Sequence, residues 1–103
     1  MMVLNLKEKL FDLDKEEVWL IPPKDDAPGV QATLGDLLLK AMKFEDNADK
    51  DIRFAMAKKI MRASETEGGD GFTEVEKQVL WKWVSLVYPS PVICGAIKNA
   101  LWA

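Results

Sequence analysis

The side chains that most often carry chemistry are nearly missing from this sequence. Its 103 residues include no histidine and a single cysteine, Cys94, which removes most of the usual nucleophile, proton-shuttle and metal-ligand repertoire. Cys94 lies in an apolar helical stretch with no histidine to activate it, so its thiol reads as buried filler. Carboxylates are paired at Asp12/Asp14, Glu16/Glu17 and Asp25/Asp26. Each pair sits in a polar stretch, whereas general acid/base catalysis needs a perturbed group in a pocket. The run Glu67 to Glu76 (EGGDGFTEVE) superficially echoes a calcium loop. With Gly71 at the sixth position, however, Gly68 falls at the third and Lys77 at the twelfth, where a bidentate glutamate is required. Gly68 to Gly71 makes no phosphate cradle either, because no Lys-Ser/Thr follows and the surrounding acids repel an anion. The sequence therefore nominates no catalytic, cofactor or metal site and points toward binding or assembly.

Two loops divide the elements that would position any functional residue. Pro22 to Gly29 (PPKDDAPG) separates Val18-Trp-Leu-Ile21 from Val30-Gln-Ala-Thr33, two runs rich in β-branched and aromatic types, and predicts a β-hairpin with a long exposed tip. The preceding Val3 to Leu13 fits both a helical and an alternating pattern, with an extended arm or short strand favoured. Thr33 is placed to cap a helix running to about Phe44, with Asp36 near its positive end and Leu34, Leu37, Leu38, Ala41 and Met42 as the core face. A second helix is expected over roughly Ala48 to Ala63. Ile52, Ala55, Met56, Ile60 and Ala63 form one face, Phe54, Ala57 and Met61 another, and Lys50, Arg53, Lys58 and Arg62 the wet stripe.

The glycine-rich Ser64 to Gly71 must break that helix. Thr73-Glu-Val-Glu76 is a capping box for a third helix that stops at Pro89, with Phe72 set to staple onto the Lys77 stem. Ser90-Pro91 then caps and starts a fourth helix ending near Trp102, with Ile93, Ala96, Ile97, Ala100 and Leu101 on one side. The expected architecture is one α+β domain over residues 1–103: an extended arm and β-hairpin (1–33) packed on a bundle of about four helices (34–103).

Composition narrows the partner class. A net charge of −3 and a pI near 4.9 argue against a nucleic-acid footprint. The densest basic group, Lys58, Lys59 and Arg62, reads as a solvated helix face. The longest apolar stretches, Val79 to Tyr88 and Pro91 to Ala96, are interrupted and fall short of the roughly 20 residues of a membrane span. One cysteine forms no internal disulfide and the N-terminus has no secretory pattern, so a cytoplasmic location is expected.

The third helix carries a wide stripe of Val79, Leu80, Trp83, Val84 and Val87, with Trp81, Ser85 and Tyr88 on a neighbouring face. Either a larger core wraps this helix, or Trp81 and Tyr88 join Phe54, Met61 and Trp102 in an exposed apolar patch. The patch matches the aromatic and methionine enrichment of interfaces, and those five residues are the candidate protein-interface set. A symmetric homodimer is the simplest use of such a patch.

The order of motifs also resembles small phage and prophage proteins: Leu13-Asp14, a hairpin, Thr33-Leu-Gly-Asp-Leu-Leu38, Ile52-Arg-Phe-Ala-Met-Ala-Lys58, a glycine-bearing loop, Thr73-Glu-Val-Glu-Lys77 and Tyr88-Pro-Ser-Pro-Val92. The similarity spans nearly the whole chain and departs from it in the Pro22 to Gly29 insertion. It implies a virion assembly or accessory protein without an active site, whose partners include virion components. The alternative is a regulator that binds a host or phage protein.

Overall fold

A computed structural model of the chain describes residues 3–64 and 70–102. The architecture is α+β, an N-terminal antiparallel hairpin followed by four helices. The arm is extended: β1 (Val3–Leu4) pairs antiparallel with β4 (Asp70–Gly71), in the register Val3 to Gly71 and Leu4 to Asp70. This pairing ties the arm to the approach of the third helix. The sequence alone did not give this partner strand, because a two-residue strand has no readable period. Leu6 and Leu10 further along the arm are buried.

The hairpin consists of β2 (Trp19–Ile21) and β3 (Val30–Gln31). Trp19 pairs with Gln31 and Ile21 with Val30, so Leu20 is the extra residue of a bulge. The bulge breaks the alternation that would hide every second side chain, and Trp19, Leu20, Ile21 and Val30 are all exposed. Val18 and Ala32, just outside the ladder, are the buried anchors. Their backbones exchange bonds with the arm: Leu10 N–H donates to the Ala32 carbonyl at 2.9 Å and Val18 N–H to the Leu10 carbonyl at 3.2 Å. Gly29 closes the tip with φ 79°, a left-handed conformation that favours glycine.

Helix α1 (Leu34–Met42) begins at the expected cap, and the box is reciprocal. Asp36 N–H donates to Thr33 Oγ1 at 3.2 Å, and Thr33 N–H donates to Asp36 Oδ2 at 3.0 Å. Its five core-face residues are all buried. Helix α3 (Glu74–Val87) repeats the device with Thr73 and Glu76 at 2.8 and 3.1 Å. Helix α4 (Pro91–Leu101) starts from a Ser90 cap with Pro91 in the first turn.

The core joins Leu6, Leu10 and Val18 to the inner faces of all four helices, with Phe72, Leu80, Trp83, Val84, Ile97 and Leu101 at its centre. Each such side chain contributes about 1.5–3 kcal/mol by leaving water. Phe72 and Lys77 are both buried, and Lys59 Nζ lies 4.6 Å from the Phe72 ring centroid. Among the described residues, no helix is long and apolar enough to cross a membrane.

Helix α2 (Lys50–Ser64) departs from its expected burial. Met56 and Ile60 face inward, but Ile52 and Ala55 are exposed, and Arg53, expected in the wet stripe, is only 3% exposed. The buried row is Arg53, Met56 and Ile60, with Ala57 half-buried beside it. Apolar counting cannot identify this face, since it is entered through a guanidinium. Most of the helix-breaking loop expected over Ser64 to Gly71, residues 65–69, lies outside the described residues.

Candidate protein-binding surface

The turn between α1 and α2 is held by the buried Arg53. Its Nε donates to the Ala48 carbonyl at 3.0 Å, and Nη1 donates to the Phe44 carbonyl at 2.6 Å. Nη2 donates to the Asp46 carbonyl, and Cζ lies 3.9 Å from the Trp83 ring centroid. Nη1 also donates, at 3.5 Å, to the carbonyl of Met42 at the end of α1. These four helix-end and turn carbonyls need donors, and a planar fork with five N–H groups suits that task. Trp83 completes the joint by donating its indole N–H to Asp49 Oδ2 at 3.2 Å. Asp49 holds φ 54° and also accepts from Lys82 Nζ at 2.6 Å. The Lys82 hydrogen bond holds the Asp49 carboxyl below its usual range.

This rigid turn presents Phe44 outward, 48% exposed, as a ridge shared by two adjoining grooves. The first, about 700 Å³, runs between the turn and α2 over Phe54, Ala57 and Met61. The second, about 840 Å³, lies between α1 and the bulged hairpin strand and is lined by Leu20, Leu39 and Val87. The apolar surface therefore continues from Met61 on α2 across Phe44 to Leu20 on β2.

Of the five candidate interface residues, the structure brings Phe54 and Met61 together on the first groove, 66% and 51% exposed. The other three are half-buried against the core. The Tyr88 hydroxyl donates to the Leu37 carbonyl at 2.6 Å, tying α3 to α1. Trp102 Nε1 donates to both Glu74 carboxylate oxygens at 2.9 and 3.0 Å, at the opposite end of α3. Trp81 lies between these ends, with Lys98 Nζ 5.3 Å from its ring centroid. Two of the five thus stand on the groove, and the other three pack into the fold. Phe44 and Leu20 were not singled out from the sequence. The one available signal was an aromatic residue left off the α1 stripe beside a polar turn.

The remaining chemistry is muted. Burial pushes the Cys94 thiol up, and its Sγ donates to the Tyr88 carbonyl at 3.1 Å. Burial, followed by the neighbouring Cys94 and Asp36, also raises the Tyr88 phenol. Glu76 moves the other way. Burial raises it, but the Thr73 N–H and the Lys59 ammonium at 2.9 Å outweigh that effect and leave it lowered. Among the described residues, no group of three or more acidic or cysteine side chains is arranged to hold a metal ion.

No protein-family model, curated protein or solved structure matches this chain.

Proposed function

We propose that this chain is a non-enzymatic protein-interaction module that binds its partner across the Phe44 ridge and the two grooves beside it. Its role is assembly or accessory, as the resemblance to phage and prophage proteins implies. The observation that carries the reading is the pinned turn. A buried guanidinium holds four carbonyls, and beside it an aromatic ring and the apolar face of α2 stand in solvent. Preorganised apolar surface of this kind loses little conformational entropy on binding.

Tagged wild type and the Phe54→Ser variant, passed through native lysate before and after prophage induction and compared by quantitative mass spectrometry, test it. A head or tail protein retained by wild type and lost with Phe54→Ser supports the reading. A host regulator retained in the same way transfers the surface to a regulatory role. Equal recovery by both chains removes the groove from function.

A further inference from the structure

Helix α2 contributes five cations and one anion, Asp51, to a chain whose overall charge is −3. Two of those cations are used inside the fold, Arg53 on the turn carbonyls and Lys59 on Glu76. Two of the other three border the apolar groove. Lys50 and Lys58 line its α2 side, and Lys43 lines its α1 side. Among the described residues, none of these three lysines has a carboxylate partner within salt-bridge distance; Lys58 rests 5.3 Å from the Phe54 ring centroid. Of the acids of the turn, Asp46 accepts from Ala48 N–H and Asp49 from Lys82 and Trp83, while Glu45 lines the groove beside Lys43. The groove is thus an apolar floor whose rim carries Lys43, Lys50 and Lys58 against Glu45 and Asp46 at the turn end, so that its α2 side is bordered by cations alone, on an otherwise acidic protein.

The floor also has a period. Phe54, Ala57 and Met61 are spaced three and four residues apart on one helix, so the apolar line runs about 10 Å along α2. That geometry suits the stripe of an antiparallel or parallel helix laid alongside. A flat bilayer would not enter the trough. A nucleic-acid backbone would gain from the lysines but leave Phe54 and Met61 unused.

Resting on the binding reading above, we propose that the groove takes an amphipathic helix from a partner protein, with an apolar stripe on Phe54 and Met61 and acidic flanks against Lys43, Lys50 and Lys58. The full chain is screened against a displayed library of helical peptides of about 15 residues, comparable in length to α2. The apolar stripe of every peptide is fixed and the flanking positions are randomised among Glu, Lys and Ser. Enriched peptides should be acidic at the flanks. Their affinity should fall about ten-fold with Lys43→Glu/Lys58→Glu, as expected for losing two attractions and gaining two repulsions at exposed sites. It should also fall with Phe54→Ser.

Enrichment with no flank preference, or acidic binders indifferent to the lysine reversal, would overturn the acidic-helix assignment while leaving an apolar binding groove intact. No enrichment that depends on Phe54 would overturn both. Three competing occupants overturn it as well: lysine-dependent binding of anionic phosphatidylglycerol vesicles or of a single-stranded oligonucleotide without peptide enrichment, or a micromolar self-association that Phe54→Ser abolishes.

Discussion

Replacing Arg53 with alanine removes four hydrogen bonds from a charged donor, one of them long at 3.5 Å, and one ring contact at 3.9 Å. Charged hydrogen bonds contribute about 1.5–3 kcal/mol each, and a desolvated cation–π contact up to about 2. Two effects reduce the sum. The turn carbonyls lie close to solvent and recover water bonds, and burying the guanidinium carries its own desolvation penalty. A net loss of about 3–4 kcal/mol remains, a large share of the 5–15 kcal/mol typical of a domain this size. Urea denaturation followed by tryptophan fluorescence measures it, with Trp83 as a local reporter. Arg53→Lys should recover less than half, because a single ammonium on a shorter side chain cannot match the planar fork. Lys58→Ala on the exposed side of the same helix should stay within about 0.5 kcal/mol. A loss below about 1 kcal/mol for Arg53→Ala would mean that the guanidinium faces water, as the helical period of the sequence implied, and that the turn is not pinned.

Three further outcomes follow from the same contacts. The lowered Asp49 and Glu76 carboxyls add stability above their ordinary pKa near 4, and that stability is lost as pH falls through their lower folded values. Lys82→Met should therefore flatten the acid limb of a stability profile, and an unchanged limb would remove Asp49 from it. The raised Tyr88 and Cys94 act on the alkaline side, where stability is present below their ordinary values and falls above about pH 9. Tyr88→Phe should cost about 1 kcal/mol through the Leu37 bond and shift that limb. Gly29→Ala places a Cβ 2.7 Å from Pro23 N and 2.9 Å from the Ile21 carbonyl oxygen at a positive φ. It should cost more than about 2 kcal/mol in the same denaturation assay, and a neutral result would mean that the hairpin tip relaxes freely.

The parts of this fold legible in the sequence are those with a local cause. Thr33-x-x-Asp36 and Thr73-x-x-Glu76 each satisfy helix-end donors within four residues, and both boxes form. Ser90-Pro91 likewise sets the start of α4, and the α1 stripe is buried throughout. What escaped depends on distant partners. The pairing of β1 with β4 joins positions nearly seventy residues apart, as the Val3 to Gly71 register shows. Arg53 is buried because carbonyls at the end of α1 and the face of Trp83 meet there, and neither is encoded near position 53. The same holds for the candidate surface. Phe54 and Met61 were readable as a second apolar row, whereas Phe44 and Leu20 became its neighbours only through the turn and the bulge.

The most direct measurement replaces Phe54 with benzoylphenylalanine in the chain expressed in its native cells, and exposed Val75, in the first turn of α3 and outside the lining of either groove, in a control chain. Irradiation should trap a distinct partner protein from position 54 and none from position 75. Adducts that are absent at 54, or identical at both positions, would contradict a binding surface centred on the groove.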